Sequence, residues 1–181
     1  MENSAESTAS SSIIALKYGF ISGLLSFIFS TLVTVMGWAE SFQESIGWIS
    51  SLWSLVLFVT MTYLCLREYR ALNQGYISYG QGLGLATLLG AICGIVSGGF
   101  NYIYIEFIDN TAVQRQLDLA LEKMEDQGLS GSELKSAEDL MRLFTHPGIQ
   151  FVSLVISSVV FCFFVGLIVS AIVKREKPIF E

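Results

Sequence analysis

Apolar residues gather into four long runs, at about 13–38, 47–66, 79–108 and 149–173, with polar stretches between them. Each run is long enough to cross a hydrocarbon core of about 30 Å as a helix. Inside lipid a helix satisfies its own backbone hydrogen bonds, so runs of this length predict four spanning helices rather than strands. The short acidic link at 39–46, with Glu40 and Glu44, predicts an antiparallel hairpin between the first two spans. Arg67, Glu68 and Arg70 mark the expected end of the second span, and Asn73-Gln74-Gly75 reads as the turn into the third.

Within the third run small residues recur at every fourth place: Gly82, Ala86, Gly90, Gly94 and Gly98. Each glycine would cost about 1 kcal/mol relative to alanine in a soluble helix. In a membrane such a stripe makes a groove that admits a second helix at close range. The first run carries Ser22, Ser26, Ser30 and Thr34 at the same spacing, with Gly19 and Gly23 beside them. Gly19, Gly23, Ser26 and Ser30 therefore join the third-span stripe as expected helix-packing positions. Interhelical hydroxyl bonds of this kind contribute about 1 kcal/mol or less each. The alternative reading of the hydroxyl stripe is the polar lining of a channel.

The polar segment 109–147 has a pattern of its own. Thr111 and Gln114 have the form of a capping box, and Val113, Leu117, Leu121 and Met124 share one helical face. Gln127-Gly128 breaks that pattern. Ser130 and Glu133 form a second box, followed by the stripe Leu134, Ala137, Met141 and Phe144. Two amphipathic helices are expected, lying on the membrane surface or capping the bundle. Thr145-His146-Pro147 opens the fourth span with proline in its first turn. Residues 1–12, rich in serine and carrying Glu2 and Glu6, are expected to be disordered. With no positive charge before Lys17 they do not suit a signal peptide. The fold expected is an all-α integral membrane four-helix bundle, one domain over 13–174. An extracytoplasmic pair of amphipathic helices separates spans three and four, and 175–181 form a cytoplasmic tail. Tyr18-Gly19 and Gly23-Leu24 echo Tyr79-Gly80 and Gly84-Leu85, a weak sign of two related hairpins.

Charge adds orientation. Lys17, Arg67, Arg70, Lys174, Arg175 and Lys177 all fall on one side of a four-span arrangement, and the first connection holds no Lys or Arg. The basic side is expected to be cytoplasmic, so both termini are inside. The net charge is −6, and segment 106–147 alone holds nine acidic residues against Arg115, Lys123, Lys135 and Arg142. No basic patch suits nucleic acid. The expected surroundings are the lipid bilayer, with a second copy or another membrane protein as the candidate partner.

Candidate chemistry is sparse. No ionisable residue lies in the middle of any span, where burial would mark it as functional. Glu106, Asp109, Asn101 and Gln81 are the polar candidates near span ends, and His146 is the single histidine. Cys65, Cys93 and Cys162 lie in apolar runs without metal-type spacing. Asp118, Glu122, Glu125 and Asp126 could gather a divalent cation, but a solvated face is the plainer reading. No catalytic constellation, cofactor motif or metal set emerges, and a non-enzymatic protein is expected.

At Gly75-Tyr76-Ile77-Ser78-Tyr79-Gly80-Gln81 the chain resembles a bacterial membrane family known as the domain of unknown function DUF4199. Tyr102-Ile103-Tyr104 followed by Phe107-Ile108-Asp109, and the basic Lys174-Arg175 with Pro178 after it, agree as well. The resemblance covers the chain from about Lys17 onward. In that family a proline often follows the aspartate, where this chain has Asn110. The resemblance implies a four-helix protein of a Gram-negative inner membrane and brings no activity, ligand or site residue. The function expected first is a scaffold or accessory subunit acting through helix contacts. A small-solute transporter or channel component, and an envelope sensor with the acidic segment as receptor, are the alternatives.

Overall fold

Six helices make up the computed structural model, which describes residues 2–38, 45–109 and 111–176, with side chains from Ser12 onward except Ala112. They are α1 (Glu2–Val35), α2 (Ile46–Leu72), α3 (Tyr79–Phe107), α4 (Ala112–Asp126), α5 (Ser132–Phe144) and α6 (Pro147–Val173). Four of them, α1, α2, α3 and α6, are long and apolar enough to cross a membrane. The acidic link with Glu40 and Glu44, Asn110, Lys177 and Pro178 lie outside the described residues.

Small residues decide which helices meet. The most extensive interface joins α3 to α6, and a step of four along one is matched by a step of four back along the other. A Cβ built on Gly82 would lie 2.7 Å from Ser170 Oγ, and one on Gly90 would lie 2.6 Å from Cys162 Cβ. One on Gly166 of α6 would lie 2.7 Å from Ala86 Cβ. Gly94 faces Ser158 and Val155, and Gly98 faces the Phe151 ring. The two helices are thus antiparallel and close enough for Ser158 Oγ to donate to the Gly90 carbonyl at 2.9 Å. On the other flank of α3, α1 approaches through its own glycines. A Cβ on Gly19 would lie 2.7 Å from Ile92 Cβ, and one on Gly23 would lie 2.8 Å from the Cys93 carbonyl.

The second helix completes the bundle with only part of its length. Leu57, Phe58, Thr62, Cys65, Leu66 and Tyr69 are buried, whereas Trp48 is 82% and Leu52 62% exposed. The tightly packed core therefore sits toward the end that carries Lys17, where Leu66, Leu89, Cys65 and Cys162 are fully buried. The three cysteines are free. The opposite end, where α3 passes into α4, is the loop end.

Polar contacts hold the Lys17 end shut. Lys17 Nζ donates to both Glu68 oxygens, at 3.0 and 2.8 Å, and the Tyr18 hydroxyl donates to Glu68 Oε2 at 2.6 Å. Arg70 Nη1 donates to the Val173 carbonyl at 3.2 Å. These partners explain a difference from the sequence pattern. The second span does not stop at Leu66 but runs to Leu72, because Glu68 and Arg70 find polar partners on neighbouring helices.

The turn at Asn73-Gln74-Gly75 is present, with Gln74 at φ 55° and Gly75 at φ 84°. Beyond it Ile77 and Arg175 exchange two backbone hydrogen bonds of 2.9 Å, which tie the start of α3 to the end of α6. Ser78 then caps α3. Its hydroxyl accepts from the Gln81 N–H while Gln81 Oε1 accepts from the Ser78 N–H. The most recognisable stretch of the sequence is thus a turn, a bridge and a cap in succession.

Several sequence expectations need correction. Thr111 stands at the N-cap position of α4 as expected, but with helical φ and ψ and no capping hydrogen bond from its side chain. Asp109 takes that role instead, accepting from the Thr111 N–H at 3.1 Å and its hydroxyl at 2.7 Å. Ser130 is not a cap either. The residue before α5 is Gly131 at φ 61°, a left-handed position that glycine adopts without strain. The serine-rich start, expected to be disordered, is helical from Glu2, since extending a helix already nucleated is easier than starting one. Gly80 and Gly84 face open space, unlike Gly19 and Gly23, so the Tyr-Gly echo does not mark equivalent contacts.

Candidate functional site

Three polar stripes, each at helical spacing, face one space at the loop end. From α1 come Ser26, Ser30, Thr31 and Thr34, from α3 Ser97 and Asn101, and from α6 Gln150, Ser153 and Ser157. Both α1 and α6 pack on α3 but share no comparable interface with each other. The gap between them is a cavity of about 480 Å³. Phe27 stacks on Phe100 at 5.3 Å and meets Tyr104 edge-on at 6.5 Å, giving the cavity an aromatic wall. Val113 and Gln116 of α4 and Phe144 of α5 reach it from the loop side. Val113 also packs on the small apolar cluster of Tyr104, Ile105 and Phe27, so the first turn of α4 is seated on the bundle.

Depth follows from helix geometry. At 1.5 Å per residue Ser97 lies about 15 Å back from the end of α3, and Ser157 about 15 Å into α6. The cavity therefore reaches roughly the midplane of a 30 Å hydrocarbon layer. Below it, toward Lys17, α3 and α6 close on each other at Gly90–Cys162 and Gly82–Ser170. A smaller cavity of about 280 Å³ lies on the other flank of α1, against Ser50, Trp53 and Ser54 of α2. It shares Ser26, Ser30, Thr34 and Gln116 with the larger one, so the hydroxyl stripe of α1 borders both.

Among the described residues, none that lines either cavity carries a charge at neutral pH. Some hydroxyls are already committed as donors: Thr34 to the Ser30 carbonyl at 3.0 Å and Ser97 to the Cys93 carbonyl at 2.8 Å. A charged cluster stands at the junction of α3 and α4, where Arg115 bridges Asp109 and Thr111. The Thr111 hydroxyl, and after it the Arg115 guanidinium, holds the Asp109 carboxyl below the usual carboxylate range. This arrangement can bind and orient a solute through hydrogen bonds. It offers no acid–base pair among the described residues.

The residues singled out from the sequence separate into two groups. Gly82, Ala86, Gly90, Gly94 and Gly98 lie against α6, and Gly19 and Gly23 against α3, all within one chain. Ser26 and Ser30 border the cavities instead. Gln81 is taken up in the α3 cap, and His146 caps α6 by accepting from the Gly148 N–H at 3.3 Å. Glu106 is exposed, as are Asp118, Glu122, Glu125 and Asp126. Sequence reasoning passed over Ser97, Gln116, Gln150, Ser153 and Ser157. The spacing of Gln150, Ser153 and Ser157 inside an otherwise apolar run was the available signal.

A search of the curated proteins and of the solved structures finds no match to the chain. One family does match, over residues 17–175, from the lysine of the Lys17–Glu68 pair to the arginine of the Ile77–Arg175 bridge. The chain is a member of the family described as a protein of unknown function, DUF4199.

Proposed function

We propose that this chain is a non-enzymatic small-solute transporter that receives its solute in the loop-end cavity. The observation that carries the reading is the cavity itself. Polar stripes of α1, α3 and α6 line a space that reaches the midplane, and on its Lys17 side α3 and α6 are in close contact. Intramembrane polar surface of this kind is costly unless it meets water, a ligand or a partner. The scaffold reading drew on the glycine stripe, the serine stripe and the absence of buried charge; of these the glycine stripe is covered by α6 of the same chain. Gathering of Lys17, Arg67, Arg70, Lys174 and Arg175 at one end supports a cytoplasmic placement of that end. On that reading the cavity, α4 and α5 face away from the cytoplasm, in a bacterial inner membrane.

The test is solute flux. Purified protein in liposomes should accelerate osmotic swelling in glycerol or urea over protein-free liposomes, and Ser30→Trp should remove the acceleration by filling the cavity. Swelling at the protein-free rate in every solute would refute transport.

A further inference from the structure

We infer that the loop-end cavity selects an uncharged polyhydroxyl compound, a polyol or sugar-like molecule, and rejects ions; this rests on the solute-uptake reading above. The first argument is charge. An ion at the floor, beside Ser97 and Ser157, would sit near the midplane with no opposite charge among the described lining residues. Charges at that depth are tolerated only when paired or well hydrated. The second argument is size. The space, about 480 Å³, is far larger than a dehydrated cation needs. Oxygen cages for metal ions require ligands converging at about 2.0–2.6 Å, which so open a site does not impose.

The third argument is hydrogen-bond type. The Ser97 and Thr34 hydroxyls spend their single proton on backbone carbonyls of their own helices, at 2.8 and 3.0 Å. Toward a ligand they can only accept. Asn101, Gln116 and Gln150 add amide groups that both donate and accept. A matching ligand therefore brings several donors and several acceptors on a neutral frame, which is the chemistry of a polyol. Phe27 and Phe144 supply flat apolar surface for its C–H faces.

The experiment uses the full chain in nanodiscs, with Cys65, Cys93 and Cys162 changed to Ala and Ser157→Cys added at the floor. Asp118→Cys, on the exposed side of α4, is the reference for intrinsic reagent reactivity. Neutral methyl methanethiosulfonate is compared with its anionic sulfonatoethyl and cationic trimethylammonioethyl analogues. The expected result is that both charged reagents are at least tenfold slower at Ser157→Cys, relative to the reference, than the neutral one. Glycerol, sorbitol or glucose should in addition slow the neutral reagent, while sodium chloride of equal osmolality should not. Equal relative rates for all three reagents, or no protection by any polyol, would overturn the inference and leave the cavity standing. No reaction with any reagent, at Ser157→Cys and at a second variant Ser30→Cys alike, would remove the cavity reading and the inference together.

Discussion

Gly90→Ala adds one methyl group at a close approach of α3 and α6, and the structure says what that methyl meets. It would lie 2.6 Å from Cys162 Cβ and 2.7 Å from the Ser158 carbonyl, against ordinary contacts of 3.4–4 Å. The shortfall is 0.7–0.8 Å at least, and one of the two obstacles is backbone, which cannot turn away as a side chain can. Relief requires α3 and α6 to move apart, which also strains the 2.9 Å Ser158–Gly90 hydrogen bond. Overpacking of this kind costs about 1–3 kcal/mol, and an interhelical hydroxyl bond in a membrane is worth about 0.6 kcal/mol. Better helix propensity returns at most about 1 kcal/mol. The expected net loss is about 1–2 kcal/mol. Gly84→Ala is the matched control, on the same helix but with nothing within 4 Å of the added methyl. It should be neutral or slightly stabilising. Equilibrium unfolding in mixed micelles, followed by helical circular dichroism, measures both. Unchanged stability in Gly90→Ala, or an equal loss in Gly84→Ala, would refute the close-approach argument.

Three other outcomes are expected. Ser78→Ala removes the oxygen that accepts from the Gln81 N–H and should cost about 1 kcal/mol in the same unfolding assay; an unchanged midpoint would show that water caps α3 equally well. A double-mutant cycle on Lys17→Ala and Glu68→Ala should give a coupling of about 0.5 kcal/mol, because the pair is 2.8 Å apart but only partly buried, so solvent screens it; a coupling above about 2 kcal/mol would contradict a solvent-screened pair. At Asp109 the folded carboxyl is held below its ordinary range by Thr111 and Arg115, so its contribution is complete above the unfolded value of about 3.9 and fades as pH falls through the lower folded value. Protection of the amides at the start of α4, taken as exchange relative to the intrinsic rate at each pH, should therefore be steady from pH 7 to 5 and fall only in stronger acid, with Asp109→Asn abolishing the acid step; loosening already at pH 6 would assign it to another group.

Much of the architecture was legible because membrane spans announce themselves by length and apolar content. The turn at Asn73-Gln74-Gly75 and the helix start at Pro147 were equally local features and appear where the pattern put them. The helix start at Thr111 appears where the pattern put it but without the expected capping bond, and the start at Ser130 was placed one residue early, since a capping-box spacing is short and recurs by chance. At the first, Asp109 supplies the accepting oxygen, and at the second, Gly131 supplies the backbone angle. The end of α2 was misplaced for the opposite reason. Charged residues read as a boundary only until a neighbouring helix offers them partners, as α1 does for Glu68 and the end of α6 for Arg70.

The candidate site was only half readable. Ser26 and Ser30 stood out by their period, yet a hydroxyl stripe is the same string of letters whether it packs or lines a space.

By itself the sequence determined the number of spans, their antiparallel order and the two small-residue stripes, because these depend on hydrophobic length, loop length and residue size. Tertiary structure alone decided that the α3 stripe is spent on α6 of the same chain, and that Ser97, Gln150 and Ser157 share a space with Ser26 and Ser30. Periodicity names the face of a helix but not its neighbour. The neighbour is chosen where backbones approach most closely, and at the loop end α1 and α6 are each bound to α3 and not to each other, which leaves the polar cavity between them.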